Sequence, residues 1–100
     1  MKFIYIKNYL NVSRAKKYQF IKYIYSFDKF KVTNQKIILN DNSLILEFSS
    51  DSCFETAKTA IDKFFEDDKD IETIYVDKLI FEENELIILN EEKIINKVAI

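Results

Sequence analysis

The chain has 100 residues, of which 48% are hydrophobic and 32% are charged, and its formal net charge at pH 7 is −2. This length and composition indicate a single globular domain over residues 1–100. The sequence contains no His and no Gly, which excludes serine–histidine and cysteine–histidine catalysis, imidazole metal ligands and the glycine loops that bind phosphate or calcium.

No residue pattern in the chain predicts a catalytic, cofactor or metal site, so we expect a protein that is not an enzyme and uses no cofactor. Its single cysteine, Cys53, excludes an internal disulfide and favours a reducing compartment. No apolar run approaches the about 20 residues of a membrane span, and residues 1–9 lack a signal-peptide core. We therefore expect an unprocessed cytoplasmic protein with no membrane partner.

The N-terminal part predicts a strand followed by an aromatic-rich helix. Residues 2–7, KFIYIK, are mostly β-branched or aromatic and predict a short strand. Ser13 is a candidate N-cap for a helix that runs to about Phe30. At about 100° per residue, Phe20 and Ile24 share one face of this helix with Phe27, which predicts a core stripe.

Beside this stripe the helix carries a strip of alternating aromatic and basic residues. Its members are spaced by three or four positions, and they are Tyr18, Lys22, Tyr25 and Lys29. Tyrosine supplies a large contact area at low entropic cost, so we predict that the strip is exposed and binds a partner. The alternative is that the tyrosines only border the core, with their hydroxyls in water.

The middle of the chain predicts a hairpin and a second helix. Residues 31–48 read as two strands around a turn at Asn40-Asp41-Asn42, where short polar side chains tolerate the left-handed backbone region. Ser52 and Glu55 match a capping box and predict that the second helix begins at Ser52. Apolar residues then recur at helical spacing, at Phe54, Ala57, Ile61, Phe64 and Phe65.

An acidic stretch follows the second helix and comprises Glu66, Asp67, Asp68, Asp70 and Glu72. The helix dipole disfavours negative charge at a C-terminal end. This unfavourable placement is the reason to predict that Asp67, Asp68 and Asp70 contact a partner. A solvated loop is the alternative, and the stretch lacks the glycine and the distal glutamate of a calcium loop.

The C-terminal third predicts a second hairpin, with IETIYVDKLIF and ELIIL turning at Glu83-Asn84. Asn90 could cap a short helix in residues 91–100, and the same segment could equally be a strand. The order of elements predicts an α+β fold with a ferredoxin-like β-α-β-β-α-β layer and an extra strand. Two helices would then pack on one face of an antiparallel sheet.

Charge is distributed unevenly along the chain. Residues 1–37 contain nine Lys and Arg against one acid, whereas residues 38–100 contain six Lys against sixteen acids. One part of the chain is thus basic and the other acidic, and no residue pattern predicts catalysis. These features favour a small binding or inhibitory domain that docks on a protein or nucleoprotein. The composition is typical of an AT-rich genome and favours an accessory protein of a phage or mobile element, such as an inhibitor of host defence.

The alternative function is direct binding of nucleic acid through the basic, aromatic N-terminal part, because Lys contacts phosphate and Tyr stacks on bases. Only one Arg is present, and the net charge of the chain is negative, both of which are atypical of a dedicated nucleic-acid-binding protein. A monomer and a homodimer are both compatible with the sequence.

Overall fold

The structure is a computed structural model that describes residues 2–26 and 30–100. Within these residues, two α-helices and seven β-strands form a mixed α+β fold, which confirms the predicted class. The strands are β1 (Lys2–Lys7), β2 (Val32–Ile38), β3 (Ser43–Phe48), β4 (Glu72–Val76), β5 (Lys78–Glu82), β6 (Glu85–Asn90) and β7 (Lys93–Ala99), and the helices are α1 (Arg14–Ser26) and α2 (Asp51–Phe64).

The strands form two antiparallel sheets rather than the single extended layer that the sequence predicted. The first sheet has the strand order β2-β3-β1-β4, and the second has the order β5-β6-β7. The chain passes from one sheet to the other at Asp77, whose backbone N–H donates a hydrogen bond to the Leu89 carbonyl at 3.1 Å. The segment IETIYVDKLIF is therefore two strands in different sheets.

The first sheet is the middle layer of three. Successive side chains of a strand point to opposite faces, and in β1 the buried Ile4 and Ile6 pack with residues of α1 and α2. Tyr5, between them, packs with Leu86 and Ile88 of the second sheet. Because both faces of the middle sheet are covered, its central strands are apolar at nearly every position.

Residues with a left-handed backbone form the turns. The predicted turn after β2 is confirmed, and Asn42 has φ 54° there. The predicted turn between β5 and β6 is also confirmed, with φ 48° at Glu83. A further turn at Glu91 and Glu92, with φ 51° and 66°, leads into β7.

The short C-terminal helix that Asn90 could have capped does not form, and the strand alternative is the correct one. Strand β7 pairs with β6 from Lys93 to Ala99. This pairing satisfies the backbone groups on one side of β6, which a helix at this position would leave without partners. In the described part of the chain, no helix is long and apolar enough to cross a membrane.

The predicted start of the second helix is wrong by two residues. The N-cap of α2 is Ser50, whose Oγ accepts a hydrogen bond from the Cys53 N–H at 3.3 Å. Ser52 already lies inside the helix, and its carbonyl accepts a bond from the Thr56 hydroxyl at 3.0 Å. Two serines two positions apart compete for the cap, and local spacing alone favoured the wrong one.

A matched pair of serine variants tests the position of the α2 N-cap. We expect Ser50→Ala to lower the free energy of unfolding by about 1 kcal/mol, because it removes the side chain that accepts the Cys53 N–H bond. Ser52→Ala should change it by less than about 0.5 kcal/mol, since Ser52 is an exposed helix residue. Urea denaturation of both variants measures the difference, and equal losses would contradict a cap at Ser50.

Candidate functional site

Helix α1 begins at the cap that its sequence predicted. The Ser13 Oγ accepts a hydrogen bond from the Lys16 N–H at 3.2 Å, and the Ser13 carbonyl accepts one from the Lys17 N–H at 2.9 Å. These bonds satisfy donors that a helix start leaves without intrahelical partners. The cap fixes where α1 begins.

The inner face of α1 packs on an aromatic cluster. Phe20 is fully buried, and its ring centroid lies 5.0 Å from that of Phe65 and 5.3 Å from that of Phe64. Ile24, one turn later, is 1% exposed. The predicted core stripe is confirmed at these two positions of α1, and its third member, Phe27, lies outside the described residues.

The outer face of α1 carries the predicted tyrosines in exposed positions. Tyr18 is 70% exposed and Tyr25 is 49% exposed, and Lys22 between them is also exposed. Lys29, the fourth predicted residue, lies outside the described residues. Arg14, one turn before Tyr18, is exposed on the same side, and we call Arg14, Tyr18, Lys22 and Tyr25 the α1 strip.

Sequence reasoning did not single out Arg14, although a signal for it was present. Arg14 precedes Tyr18 by four positions, which places the two side chains next to each other on a helix surface. Only the observed start of α1 shows that Arg14 belongs to the first helical turn. The α1 strip therefore extends closer to the N-terminus than the sequence analysis proposed.

The α1 strip combines aromatic surface with positive charge that forms no ion pair among the described residues. Helix α1 contains four basic residues and no acidic residue. Neither Arg14 nor Lys22 forms an ion pair with another residue in the described ranges. Partial burial raises the pKa of Tyr25 above its usual value. Its hydroxyl, which any tyrosine keeps protonated at neutral pH, can both donate and accept hydrogen bonds.

The predicted acidic residues lie in the loop between α2 and β4, beside the first turn of α1. Asp68 forms an ion pair with Lys16, whose Nζ also lies 5.4 Å from the centroid of the Phe64 ring. Asp67 and Asp70 are exposed. Lys16 thus supplies, within the chain, a cation for the negative charge that the helix dipole disfavours. The structure leaves Asp67 and Asp70 accessible to a partner.

Other side chains with potential chemistry lie apart from the α1 strip. In residues 2–26 and 30–100, no group of three or more His, Cys, Asp or Glu is placed to hold a metal ion. Cys53 is a half-buried free thiol in the first turn of α2. The α1 strip and the neighbouring acidic loop are therefore the features that we consider for binding.

A partly buried polar cluster joins the two sheets and was not predicted. The Tyr5 hydroxyl donates a hydrogen bond to Asp41 and accepts one from the Asn96 Nδ2 at 2.9 Å. Burial, together with the bond to Asp41, raises the pKa of Tyr5 to about 12. Tyr5 and Asn96 are 91 positions apart, so no local pattern could have indicated their contact. The cluster holds the second sheet on the face opposite α1.

A small cleft opens between β2 and β5, at one side of the contact between the sheets. Its volume is about 190 Å³, whereas pockets for drug-sized ligands commonly have about 300 to 1,000 Å³. Its apolar walls include Phe3, Ile45 and Leu79, and Phe81 at its border is 55% exposed. The cleft is too small for a drug-sized ligand.

Comparison of the chain with protein-family models, with curated proteins and with solved structures finds no match. Inference about function therefore rests on the side chains described above. Among them the α1 strip joins two exposed tyrosines to two cations that form no ion pair within residues 2–26 and 30–100.

Proposed function

We propose that the protein is a small non-enzymatic binding domain that docks through the α1 strip on an acidic surface of another protein or of a nucleoprotein. The observation that carries this proposal is the exposure of Tyr18 and Tyr25, at 70% and 49%, beside Arg14 and Lys22, which form no ion pair in the described part of the chain. Tyrosine and arginine are enriched among the residues that contribute most to binding energy. An inhibitory effect would follow from occupying the partner's own interaction surface.

The shape of the α1 strip supports a protein partner. Tyr18 and Tyr25 are seven residues apart, which corresponds to about 10.5 Å along a helix axis. They project from a single convex helix face, and such a face fits a groove on a partner protein. We therefore propose helix-in-groove docking, with the two tyrosines as anchors and Arg14 and Lys22 as the charged contacts beside them.

The acidic loop places negative charge beside the positive charge of the α1 strip. The ion pair between Lys16 and Asp68 holds the loop at the N-terminal end of α1. Asp67 and Asp70 could then contact basic groups of the same partner. Opposite charges at two ends of one surface set the orientation of docking and exclude wrong partners more than they add affinity.

Binding of nucleic acid is the second candidate function. Helix α1 favours it, because the helix carries four basic residues and no acidic one and has exposed tyrosines that could stack on bases. Proteins that bind single strands commonly use a positively charged groove, whereas the α1 strip is convex. The net charge of −2 also opposes long-range attraction to phosphate. We therefore rank this candidate second.

The proposal also covers the topology of the fold, the cellular location of the protein and its biological role. The strand order β2-β3-β1-β4, with both helices on one face of the sheet, supports a ferredoxin-like layer to which the second sheet has been added. A cytoplasmic location is supported by the single free cysteine. The role of host-defence inhibitor from a phage or mobile element rests on composition alone.

Capture from host lysate with an α1 variant tests the proposal. We expect Arg14→Gln/Lys22→Gln to retain the fold and to bind the captured protein about tenfold more weakly, because electrostatic attraction to an acidic surface is lost. Nuclease treatment should leave capture by the natural sequence unchanged. The readout is quantitative mass spectrometry of the captured proteins, followed by binding measurements with the purified partner.

The matched control is Lys93→Gln/Lys97→Gln, which removes two exposed charges from β7 on the far side of the molecule. Capture by this control should equal that of the natural sequence. Capture that disappears after nuclease treatment would favour the nucleic-acid function. Capture that survives in the α1 variant at full strength would mean that the α1 strip is not the binding surface.

A further inference from the structure

Strand β5 is an edge of the second sheet and pairs in regular register, as the edge strand β4 of the first sheet does and as the edge strands β2 and β7 do not. The pairings of β2 with β3 and of β7 with β6 each contain a register shift. The side chains of Asn34 and Asn96 accept hydrogen bonds, at 2.9 Å each, from the backbone N–H groups of Gln35 and Lys97. Such irregularities oppose the addition of another strand. Strand β5 pairs with β6 in unbroken register and shows neither feature.

The backbone groups of β5 that point away from β6 belong to Leu79 and Phe81. Successive residues of an antiparallel strand direct their N–H and C=O groups to alternate sides. Glu82 and Glu85 flank a two-residue turn, and in such a turn the flanking residues form a hydrogen-bonded pair. The even-numbered residues of β5 therefore bond to β6, and Leu79 and Phe81 direct their N–H and C=O groups to the open edge.

The sequence of β5, KLIFE, is complementary to itself when two copies run antiparallel. With a two-fold axis at Ile80, Lys78 of one copy lies opposite Glu82 of the other, at both ends of the pair. Leu79 of one copy lies opposite Phe81 of the other, so that the outward backbone groups meet and can form four N–H···O bonds. Charge, apolar contact and hydrogen bonding thus select the same register.

We propose that the protein forms a two-fold symmetric homodimer by antiparallel pairing of β5 with β5 of a second copy. This pairing would join two three-stranded sheets into one of six strands. Opposite charges directly across a strand pair stabilise it, and like charges destabilise it. A shift of the register by two residues would place Lys78 or Glu82 opposite Ile80, so the alternating hydrogen bonds and the charges together specify one register.

The geometry of the monomer agrees with this interface. Phe81 is 55% exposed at the edge, and the second copy would cover it with Leu79. The pairing leaves the α1 strip accessible, because α1 packs on the opposite face of the first sheet. A dimer would present two copies of the α1 strip, and the dimer interface does not depend on what that strip binds.

Charge reversal on β5 tests the proposal by sedimentation velocity over about 1 to 500 μM protein, a range that suits a small interface. We expect the natural sequence to approach twice the monomer mass as concentration rises. Lys78→Glu and Glu82→Lys each place like charges opposite each other at both ends of the pair, and each should weaken the dimer at least about tenfold. The double variant Lys78→Glu/Glu82→Lys restores opposite charges and should dimerise again.

An equimolar mixture of the two single variants should form a heterodimer, because every charged pair is then opposite in sign. Lys93→Glu on β7 is the control for a change of net charge at the other edge of the sheet, and it should dimerise like the natural sequence. The proposal is overturned if the natural sequence stays monomeric across the range, or if the single reversals dimerise unchanged. It is also overturned if the double variant and the mixture fail to restore the dimer while their melting curves match that of the natural sequence.

Discussion

Phe20→Ala is expected to lower the free energy of unfolding by about 3 to 5 kcal/mol, because truncation of a buried aromatic residue leaves a cavity. The Phe20 ring is fully buried and lies within 5.7 Å, centroid to centroid, of the rings of Tyr9, Phe64 and Phe65. Loss of these edge-on and tilted ring contacts adds to the loss of buried area. Urea denaturation with an unchanged m-value measures the effect.

Two further variants keep this test informative. Stabilities of domains of this size are about 5 to 15 kcal/mol, so Phe20→Ala could leave little folded protein. Phe20→Leu retains a branched apolar side chain and should lose about 1 to 2 kcal/mol. Tyr18→Ala, on the exposed face of the same helix, should change stability by less than about 0.5 kcal/mol. Similar decreases in the free energy of unfolding for Tyr18→Ala and Phe20→Ala would contradict the assignment of the inner and outer faces of α1.

Patterns that repeat within a few residues predicted much of this fold. Helical spacing placed Phe20 and Ile24 on the buried face of α1 and Tyr18 on the exposed one. The preference of Asn for left-handed backbone located the turn at Asn42. These predictions succeeded because each depends on local geometry, which the neighbouring side chains alone determine.

The second sheet could not be predicted in the same way, because it depends on contacts between distant segments. The apolar character of successive residues in β1 was a signal that both faces of the first sheet are covered, but it does not say by which segment. Strand β7 forms with glutamates in left-handed conformations at positions 91 and 92. Pairing with β6 outweighs the local cost of that backbone, so the preferences of residues 91–100 alone did not decide their structure.

The candidate site was predictable to the extent that it is helical. Spacing identified Tyr18, Lys22 and Tyr25, while Arg14 required knowledge of where α1 begins. The contact of Lys16 with Asp68 joins residues 52 positions apart, so the sequence could not show that part of the acidic stretch has a partner within the chain. Only the burial and the long-range contacts of the folded chain show which charged side chains can bind a partner and which already form ion pairs.

Tyr18→Ser/Tyr25→Ser is the variant with the largest expected effect on binding. Tyrosines that act as anchors contribute about 1 to 2 kcal/mol or more each, so their joint loss should raise the Kd for the partner about 30- to 1,000-fold. Stability should change by less than about 0.5 kcal/mol per site, because both side chains are exposed. Titration calorimetry with the captured partner and urea denaturation of the variant measure the two effects.

Two controls connect this result to the tyrosine rings of the α1 strip. Ile37→Ser/Leu39→Ser removes apolar side chains that are 50% and 75% exposed at the end of β2, and we expect it to bind the partner normally. Tyr18→Phe/Tyr25→Phe keeps the rings and should retain most of the affinity, since ring area rather than the hydroxyl supplies most of the contact. A serine variant that unfolds like Phe20→Ala would instead show that the tyrosines belong to the core. Normal binding by a folded serine variant would remove the α1 strip from the proposed function.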